Sequence, residues 1–200
     1  MPSKWGPGKW PSEAECIALL KVAGCEDSVI AHTKMTARIA LVIVGRINEV
    51  ARDSKGRKGV AAKGEALADA DLVRAGALLH DIGRAVDHGI RHAVEGAKVA
   101  RSLGLPEEIV NIIERHIGAG IERKEAERFG LPAKDYYPLT LEEKIVAHAD
   151  NLAGKKRKAK LHKVIADLEK KGASHAVPRM IALHRELSAL CGMDLDGFEL

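Results

Sequence analysis

Six histidines and aspartates occur along the chain in positions where they could hold metal ions. Each lies on, or at the end of, the apolar face of a predicted helix. The six are His32, His80, Asp81, His92, His116 and Asp150. One histidine on an apolar face usually bonds a backbone carbonyl in the core, but an unpaired buried carboxylate is costly. Imidazoles and carboxylates that converge are all satisfied by a cation, so the set predicts a metal site.

The donor types indicate which ions and which reaction to expect. Imidazole-rich sites favour transition metals over Mg²⁺ or Ca²⁺, so we expect one or two ions of Fe, Mn, Co, Ni or Zn. Six ligands are enough for two ions, and a pair of ions about 3.5–4 Å apart suits in-line attack on phosphorus. The predicted chemistry is hydrolysis of a phosphomonoester or phosphodiester bond by a metal-bound hydroxide.

Capping signals and apolar periodicity predict the helices that position these residues. Ser12 and Glu15 form a capping-box pattern that starts a helix ending near Gly24. Thr140 and Glu143 repeat this pattern. Further helices are predicted over residues 27–51, 65–81, 91–103, 106–117, 121–129, 140–153, 158–171 and 176–190. No strand pattern is present, which predicts an all-α fold.

The predicted helices divide the chain into three parts. Residues 1–11, which contain both tryptophans, form an irregular arm that either packs on the helical body or serves as a lid or dimer contact. Residues 12–155 form the main helical domain, within which the glycine-rich and basic stretch 53–64 is an exposed loop. Residues 156–200 form extra C-terminal helices packed on the same domain, and a homodimer interface there is left open.

Composition restricts the class of protein. Hydrophobic residues make up 46% of the chain and charged residues 30%, which excludes a disordered chain. A net charge of +4 favours an anionic substrate but lacks the excess of a dedicated nucleic-acid binder. Three cysteines without a CxxC pair indicate reduced thiols. The apolar run 39–44 is too short to span a membrane, so we expect a cytoplasmic protein.

The stretch Ala77-Leu-Leu-His80-Asp81-Ile-Gly83 resembles the signature of the HD-domain phosphohydrolase superfamily, in particular its HDIG subset. His32 upstream and Ala147-His-Ala-Asp150 downstream follow the order of that superfamily. The resemblance covers residues 25–153 and implies an HD-type helical bundle. It also implies that His32, His80, Asp81 and Asp150 are metal ligands, with Asp81 able to bridge two ions.

The middle of the chain is similar to the two-metal branch, which includes bacterial dinucleoside tetraphosphate hydrolases. This resemblance implies that His92 and His116 complete a second metal site. Arg84 stands where the mononuclear HD 5′-nucleotidases carry a Glu, which disfavours their mechanism. No Gly-Tyr-Pro follows His116, which disfavours the cyclic-di-GMP phosphodiesterase subset. His88 could join the ligands only if its helix begins early.

Basic residues near the predicted ligands are candidates for binding phosphate. We expect Arg84 to contact the substrate and to neutralise charge during catalysis, with Lys34 and Arg38 as further substrate-binding residues. The run 155–158 is either a solvated face or a rim that attracts an anion. The predicted substrate is a nucleotide-like or cyclic phosphate small molecule. Tyr136 and Tyr137 are expected to cover the core rather than to line the pocket.

A second, non-enzymatic class of function is also compatible with the sequence. The chain could be a non-catalytic, metal-containing helical module that binds a phosphorylated ligand or RNA without turnover. RNA binding is less favoured, because no aromatic residue is interleaved with the basic run. A purely structural metal would not need an open coordination position, which favours the hydrolase.

Overall fold

A computed structural model describes residues 5–6, 8–57, 67–154 and 157–200, without the side chains of residues 54–57. Over these ranges the chain is helical and forms no strand, in agreement with the predicted all-α class. The α-helices are Glu13–Ala23 (α1), Asp27–Arg57 (α2), Ala70–Leu79 (α3), His92–Ser102 (α4), Glu107–Arg115 (α5), Arg123–Arg128 (α6), Leu141–Leu152 (α7), Leu161–Lys170 (α8) and Val177–Cys191 (α9). Short 3₁₀ helices cover Ile82–Ala85, Ser174–Ala176 and Leu195–Gly197.

The first helix begins and ends as its sequence predicts. The Ser12 hydroxyl accepts the backbone N–H of Glu15, and the Glu15 carboxylate accepts that of Ser12. Gly24 closes the helix at φ 94°, a left-handed conformation that glycine adopts at no steric cost. At α7 only half of the expected capping box forms. Thr140 accepts the N–H of Glu143, but the Glu143 carboxylate accepts the N–H of Leu139 instead.

The long helix α2 is the centre of the fold and packs against α3, α7 and α9. Its buried face includes Ile39, Ile43 and Ile47. By length and composition alone the segment Asp27–Asp53 could also cross a membrane, at a mean hydropathy of 1.3. The core helix of a soluble protein passes the same test, and this helix supplies part of the hydrophobic core.

The segment between α2 and α3 differs from the expectation. Helix α2 continues to Arg57 and so enters the predicted loop 53–64, while residues 58–66 lie outside the described residues. Helix α3 begins at Ala70 rather than at residue 65, because the side chain of Asp69 caps it by accepting the N–H groups of Asp71 and Leu72.

Trp5 and Trp10 near the N-terminus, and the C-terminal helices, pack on the rest of the fold. Helix α9 contacts α2 and α7, and α8 lies against α7 and α9. Trp5 and Trp10 pack against the core, and the Trp10 indole donates to Asp69 Oδ2 at 2.7 Å. These contacts favour the anchoring interpretation of the arm. Tyr136 is buried as expected, with its hydroxyl donating to the Pro132 carbonyl.

Candidate metal centre

The fold brings all six predicted ligands to one place. His32 comes from α2, His80 and Asp81 follow α3, His92 opens α4, His116 follows α5, and Asp150 lies on α7. Three overlapping groups have their ligand atoms within 4.8 Å of one another: His32, His80 and Asp81; His80, His116 and Asp150; Asp81, His92 and His116. Their role as ligands stays a prediction, but their spacing is compatible with bound metal.

Asp81 lies between two pairs of imidazoles. Its Oδ1 is 3.1 Å from His92 Nε2 and 3.7 Å from His116 Nε2. Its Oδ2 is 3.7 Å from His80 Nε2 and 3.8 Å from His32 Nε2. Each carboxylate oxygen therefore faces a different pair of ring nitrogens, the arrangement needed for one carboxylate to bridge two ions.

Backbone carbonyls fix the tautomers of the three buried rings of the centre. The Nδ1 atoms of His80, His92 and His116 face the carbonyl oxygens of Ala77, Gly89 and Ile113, at 2.8, 2.6 and 2.7 Å. A carbonyl only accepts hydrogen bonds, so each Nδ1 carries the proton and donates. In the neutral ring each Nε2 then presents a lone pair to the centre, as a metal-binding histidine does.

This donor set fits a divalent transition metal. His92 Nε2 and His116 Nε2 lie 3.0 Å apart, so two lone pairs would face each other unless a cation lies between them. His80 Nε2 is buried and has no hydrogen-bond partner among the described atoms, although Asp150 Oδ1 is 3.4 Å away. Imidazole nitrogens with two carboxylates are ligands that such ions accept. Asp150 and His32 complete the set at 2.8 Å from each other.

The charges of the cluster are strongly coupled. Burial opposes ionisation of Asp81 and Asp150, but the nearby histidines, His80 foremost, outweigh it and hold both pKa values well below the usual range. Burial also disfavours protonation of His80, yet Asp81 and Asp150 raise its pKa to about 9. Burial together with His80 lowers the pKa of His116 to about 3. The carboxylates are thus ionised and ready to bind cations at neutral pH.

Two glycines allow the segments that carry the ligands to approach each other. Gly83, two residues after Asp81, packs directly on the backbone of His92 and Gly96. The short 3₁₀ helix Ile82–Ala85 can therefore lie against α4 and place Asp81 beside His92. This contact gives a structural reason for the glycine in the His-Asp-Ile-Gly stretch.

Arg84 lines the open side of the centre. Its Nε donates to Asp81 Oδ1 at 3.1 Å and one terminal nitrogen donates to the carbonyl of His88 at 2.7 Å. A cleft of about 480 Å³, part of it open solvent, is lined by Ser28, Val29, His32, Asp81 and Arg84. The cleft therefore places a guanidinium beside two of the predicted ligands, His32 and Asp81.

The other predicted basic residues lie further out. Lys34 and Arg38 are exposed on α2, and neither lines the cleft that contains His32 and Arg84. Their substrate-binding role stays a prediction. From the run 155–158, where residues 155 and 156 lie outside the described residues, Lys158 points inward and donates to the Leu195 carbonyl. His88 is exposed in the turn before α4, because that helix begins only at His92, so it does not join the described ligand groups.

The sequence reasoning missed residues that shape a second cleft, which reaches Asp150 from the C-terminal side. Asp150, Leu168 and Lys171 are among its lining residues, and its empty space is about 660 Å³ including open solvent. Asn151 donates to the carbonyls of Gly118 and Ala147, which joins α7 to the segment after His116. The position of Asn151 directly after Asp150 was the available signal.

A separate histidine pair lies behind the centre. His148 shares a hydrogen bond of 3.0 Å with His184, and His184 contacts Asp194 at 3.1 Å. Asp194 and Asp196 also accept backbone N–H groups, from Asp196 and Leu161. This network ties α7 to the C-terminal residues.

Comparison with known proteins gives relatives of several kinds. The chain is 42% identical over 186 residues to a tRNA (cytidine(56)-2'-O)-methyltransferase of Thermoplasma volcanium, which covers 93% of this chain and 49% of the relative. The chain thus spans about half the length of that relative. It is 52% identical over 124 residues to the uncharacterized protein MJ0778 of Methanocaldococcus jannaschii, covering 61% of this chain and 73% of the other.

Among solved structures, the HD domain of L. monocytogenes phosphodiesterase PgpH covers 87% of this chain and 97% of its own, with 18% identity and a TM-score of 0.46. The HD domain family matches residues 29–155, which include all six residues of the centre. A match over more than half of the sequence shows that this chain belongs to the HD domain family.

Proposed function

We propose that this chain is a metal-dependent phosphohydrolase that cleaves a phosphomonoester or phosphodiester bond of a nucleotide-like or cyclic phosphate small molecule. The observation that carries the proposal is the position of Asp81, whose two oxygens face two separate pairs of histidine nitrogens. His32, His80 and Asp150 would hold one ion with Asp81, and His92 and His116 would hold the other.

The residues of the centre would have different roles in such a reaction. When bound, divalent ions would polarise the phosphoryl oxygens and lower the pKa of a coordinated water. Asp81 and Asp150 hold compensating negative charge, and the carbonyl-bound imidazoles keep their lone pairs directed inward. Arg84, fixed by Asp81 and the His88 carbonyl, would contact the phosphate and neutralise charge that develops on it.

A second candidate is the binding or cleavage of RNA. Relatives that match 93% of this chain carry the name of a tRNA methyltransferase, and shorter matches, 50% identical over 50 residues in one case, are named ribonuclease Y. The basic charge of the chain is compatible with RNA as a partner. Binding without turnover would correspond to the non-catalytic module.

The test measures bound metal and hydrolysis together. Protein purified without chelator is assayed for metal, then for cleavage of bis-p-nitrophenyl phosphate, p-nitrophenyl phosphate, nucleotides and short RNA with Mn²⁺, Co²⁺, Ni²⁺ or Fe²⁺. We expect about two ions per chain and hydrolysis by the wild type, and loss of hydrolysis in Asp81→Asn, which removes the negative charge of the proposed bridging carboxylate. Asp71→Asn, an exposed aspartate of α3, is the matched control and keeps activity.

The outcomes separate the candidates. One ion with activity would remove His92 and His116 from the ligands. RNA binding without cleavage of any substrate would favour the binding module. Neither metal nor activity in a folded protein would overturn the hydrolase.

A further inference from the structure

A cavity beside the metal centre is not used by the proposed reaction. It holds about 740 Å³ of empty space, part of it open to solvent, within the size range of small-molecule sites. Its walls are mainly apolar and include Ile90, Ile117, Ile121, Phe129, Leu168 and Met180. Phe129 leaves 44% of its surface exposed although it is a large aromatic residue. Such walls favour an uncharged ring over a phosphate.

Two sets of residues connect the cavity to the metal centre. Ile90 precedes His92 by two residues, and Ile117 follows His116 directly, so the backbone that carries two ligands also forms a wall of the cavity. Leu168 and Lys171 line both this cavity and the cleft that contains Asp150. The cavity and the cleft that contains Asp150 therefore share part of their lining and lie next to each other.

The charges between the two spaces suit a phosphate followed by a neutral ring. Lys171 stands at the junction, is exposed, and forms no ion pair within the described ranges. At another edge of the cavity, Glu125 accepts two hydrogen bonds from Arg179 and contacts His175 at 2.7 Å. This edge offers polar groups for a heterocycle but little free charge, because the Arg179 and Glu125 charges compensate each other.

We propose that this cavity binds the base of a nucleotide whose phosphate lies at the metal centre. The assignment deepens the proposed function and rests on it. The nucleobase would pack between Phe129 and the apolar wall of Ile117 and Leu168, and Lys171 would contact the phosphate at the junction. The low aromatic content of the chain does not prevent this, because one exposed phenylalanine is enough to stack one base.

The first test is a binding measurement that needs no catalysis. Adenosine and inorganic phosphate are titrated separately into the full chain with labelled isoleucine and methionine methyl groups, followed by NMR. We expect adenosine, but not phosphate, to shift the signals of Ile117, Ile121 and Met180. Ala173→Phe places a ring in the cavity from its half-buried edge and should weaken adenosine binding at least tenfold. Ala182→Phe, at an exposed position on α9, is the matched control.

The second test uses turnover. The p-nitrophenyl ester of thymidine 5′-monophosphate carries a base, whereas methyl p-nitrophenyl phosphate does not. We expect Ala173→Phe to raise KM about tenfold for the thymidine ester and to leave KM unchanged for the methyl ester. Phe129→Ala removes the proposed stacking ring instead of adding one, and we expect it also to raise KM for the thymidine ester only. The exposed Leu139→Ala is its control.

These measurements distinguish the cavity from the hydrolase. Methyl signals that do not shift with adenosine would overturn the cavity assignment. A KM for the thymidine ester that is the same in variant and control would also overturn it. In both cases the hydrolase proposal still stands. Adenosine shifts in a chain that cleaves neither ester would support the cavity and overturn the hydrolase.

Discussion

Residue 83 lies where the turn after Asp81 meets α4. A Cβ atom at this position would lie 1.9 Å from the His92 carbonyl oxygen and 2.5 Å from the Gly96 nitrogen. Both are backbone atoms, which cannot move aside as the end of a flexible side chain can. The hydrogen of glycine therefore sets the distance between the segments that carry Asp81 and His92.

We predict that Gly83→Ala destabilises the protein by about 3 kcal/mol, the upper part of the usual cost of overpacking. It should also lower metal content, because α4 must move away from Asp81. Urea unfolding and metal analysis measure the two effects. Gly89→Ala is the control, since its Cβ would meet only the Asp87 side chain, at 3.1 Å. Equal stability of the two variants would contradict the account.

The cysteines give a second prediction at this scale. Burial raises the pKa of Cys16 to about 12 and that of Cys191 to about 11, and it also raises the pKa of Cys25. All three thiols are free and buried. We expect them to resist a disulfide reagent at pH 8 in the native protein and to react fully in urea. Rapid reaction of a native thiol would show that the segment around it opens.

At the scale of elements, a pair of hydrogen bonds joins α2 to the residues before α3. The Asn48 amide donates to the Ala68 carbonyl at 2.9 Å, and its oxygen accepts the Ala68 N–H at 3.0 Å. Both bonds are buried. They join α2 directly to the residues before α3, independently of the connecting residues 58–66.

We predict that Asn48→Ala lowers the free energy of unfolding by about 2–3 kcal/mol, because it leaves a buried N–H and a buried carbonyl unpaired. The neighbouring Glu49→Ala removes only a surface ion pair with Arg46 and should cost less than about 1 kcal/mol. Urea denaturation of both variants checks the difference. An Asn48→Ala protein as stable as Glu49→Ala would show that the bonds contribute little.

Local signals predicted where several helices begin, and missed where α2 ends. Ser12, Pro106 and Thr140 mark helix starts by chemistry that lies within a few residues. Gly56 is one of the residues that predict a loop over 53–64, yet α2 continues through it to Arg57. A glycine in a helix interior costs only about 1 kcal/mol, which an already formed long helix can absorb.

At the scale of the whole molecule, the six residues of the centre could be proposed as ligands from their types, their order and a family resemblance. The pairing of each Asp81 oxygen with its own two histidines could not, because it depends on the tertiary approach of four helices, α2 to α5. The cavity walls were missed for the same reason: Phe129 and Lys171, which follow α6 and α8, carry no local signal, and only the tertiary fold brings them to one cavity.

The buried histidines make the metal-free molecule sensitive to acid. Burial, and next His184, lowers the pKa of His148 to about 3, and the pKa of His116 is also about 3, against an ordinary value of 6.5. As the pH falls, these two histidines therefore take up protons at a higher pH in the unfolded chain than in the folded protein. The stability from these groups is complete above pH 6.5 and is lost as the pH falls toward 3. His80, whose pKa is raised, has its full contribution below pH 6.5 and adds no slope there.

We predict that unfolding of chelator-treated protein becomes easier below pH 6.5, by about 1 kcal/mol per pH unit for each of the two histidines. Urea titrations at pH 7.0, 5.5 and 4.5 measure this slope. A stability that stays flat from pH 6.5 to 4.5 would contradict the prediction.

The hydrogen bond from Trp10 to Asp69 has a spectroscopic consequence. Both tryptophans of the protein lie in the N-terminal arm, so its tryptophan fluorescence reports on the arm alone. Detachment of the arm from the cap of α3 would shift the emission to longer wavelength while circular dichroism at 222 nm still records intact helices. A single fluorophore type thus separates the release of one segment from the melting of the bundle, without any label.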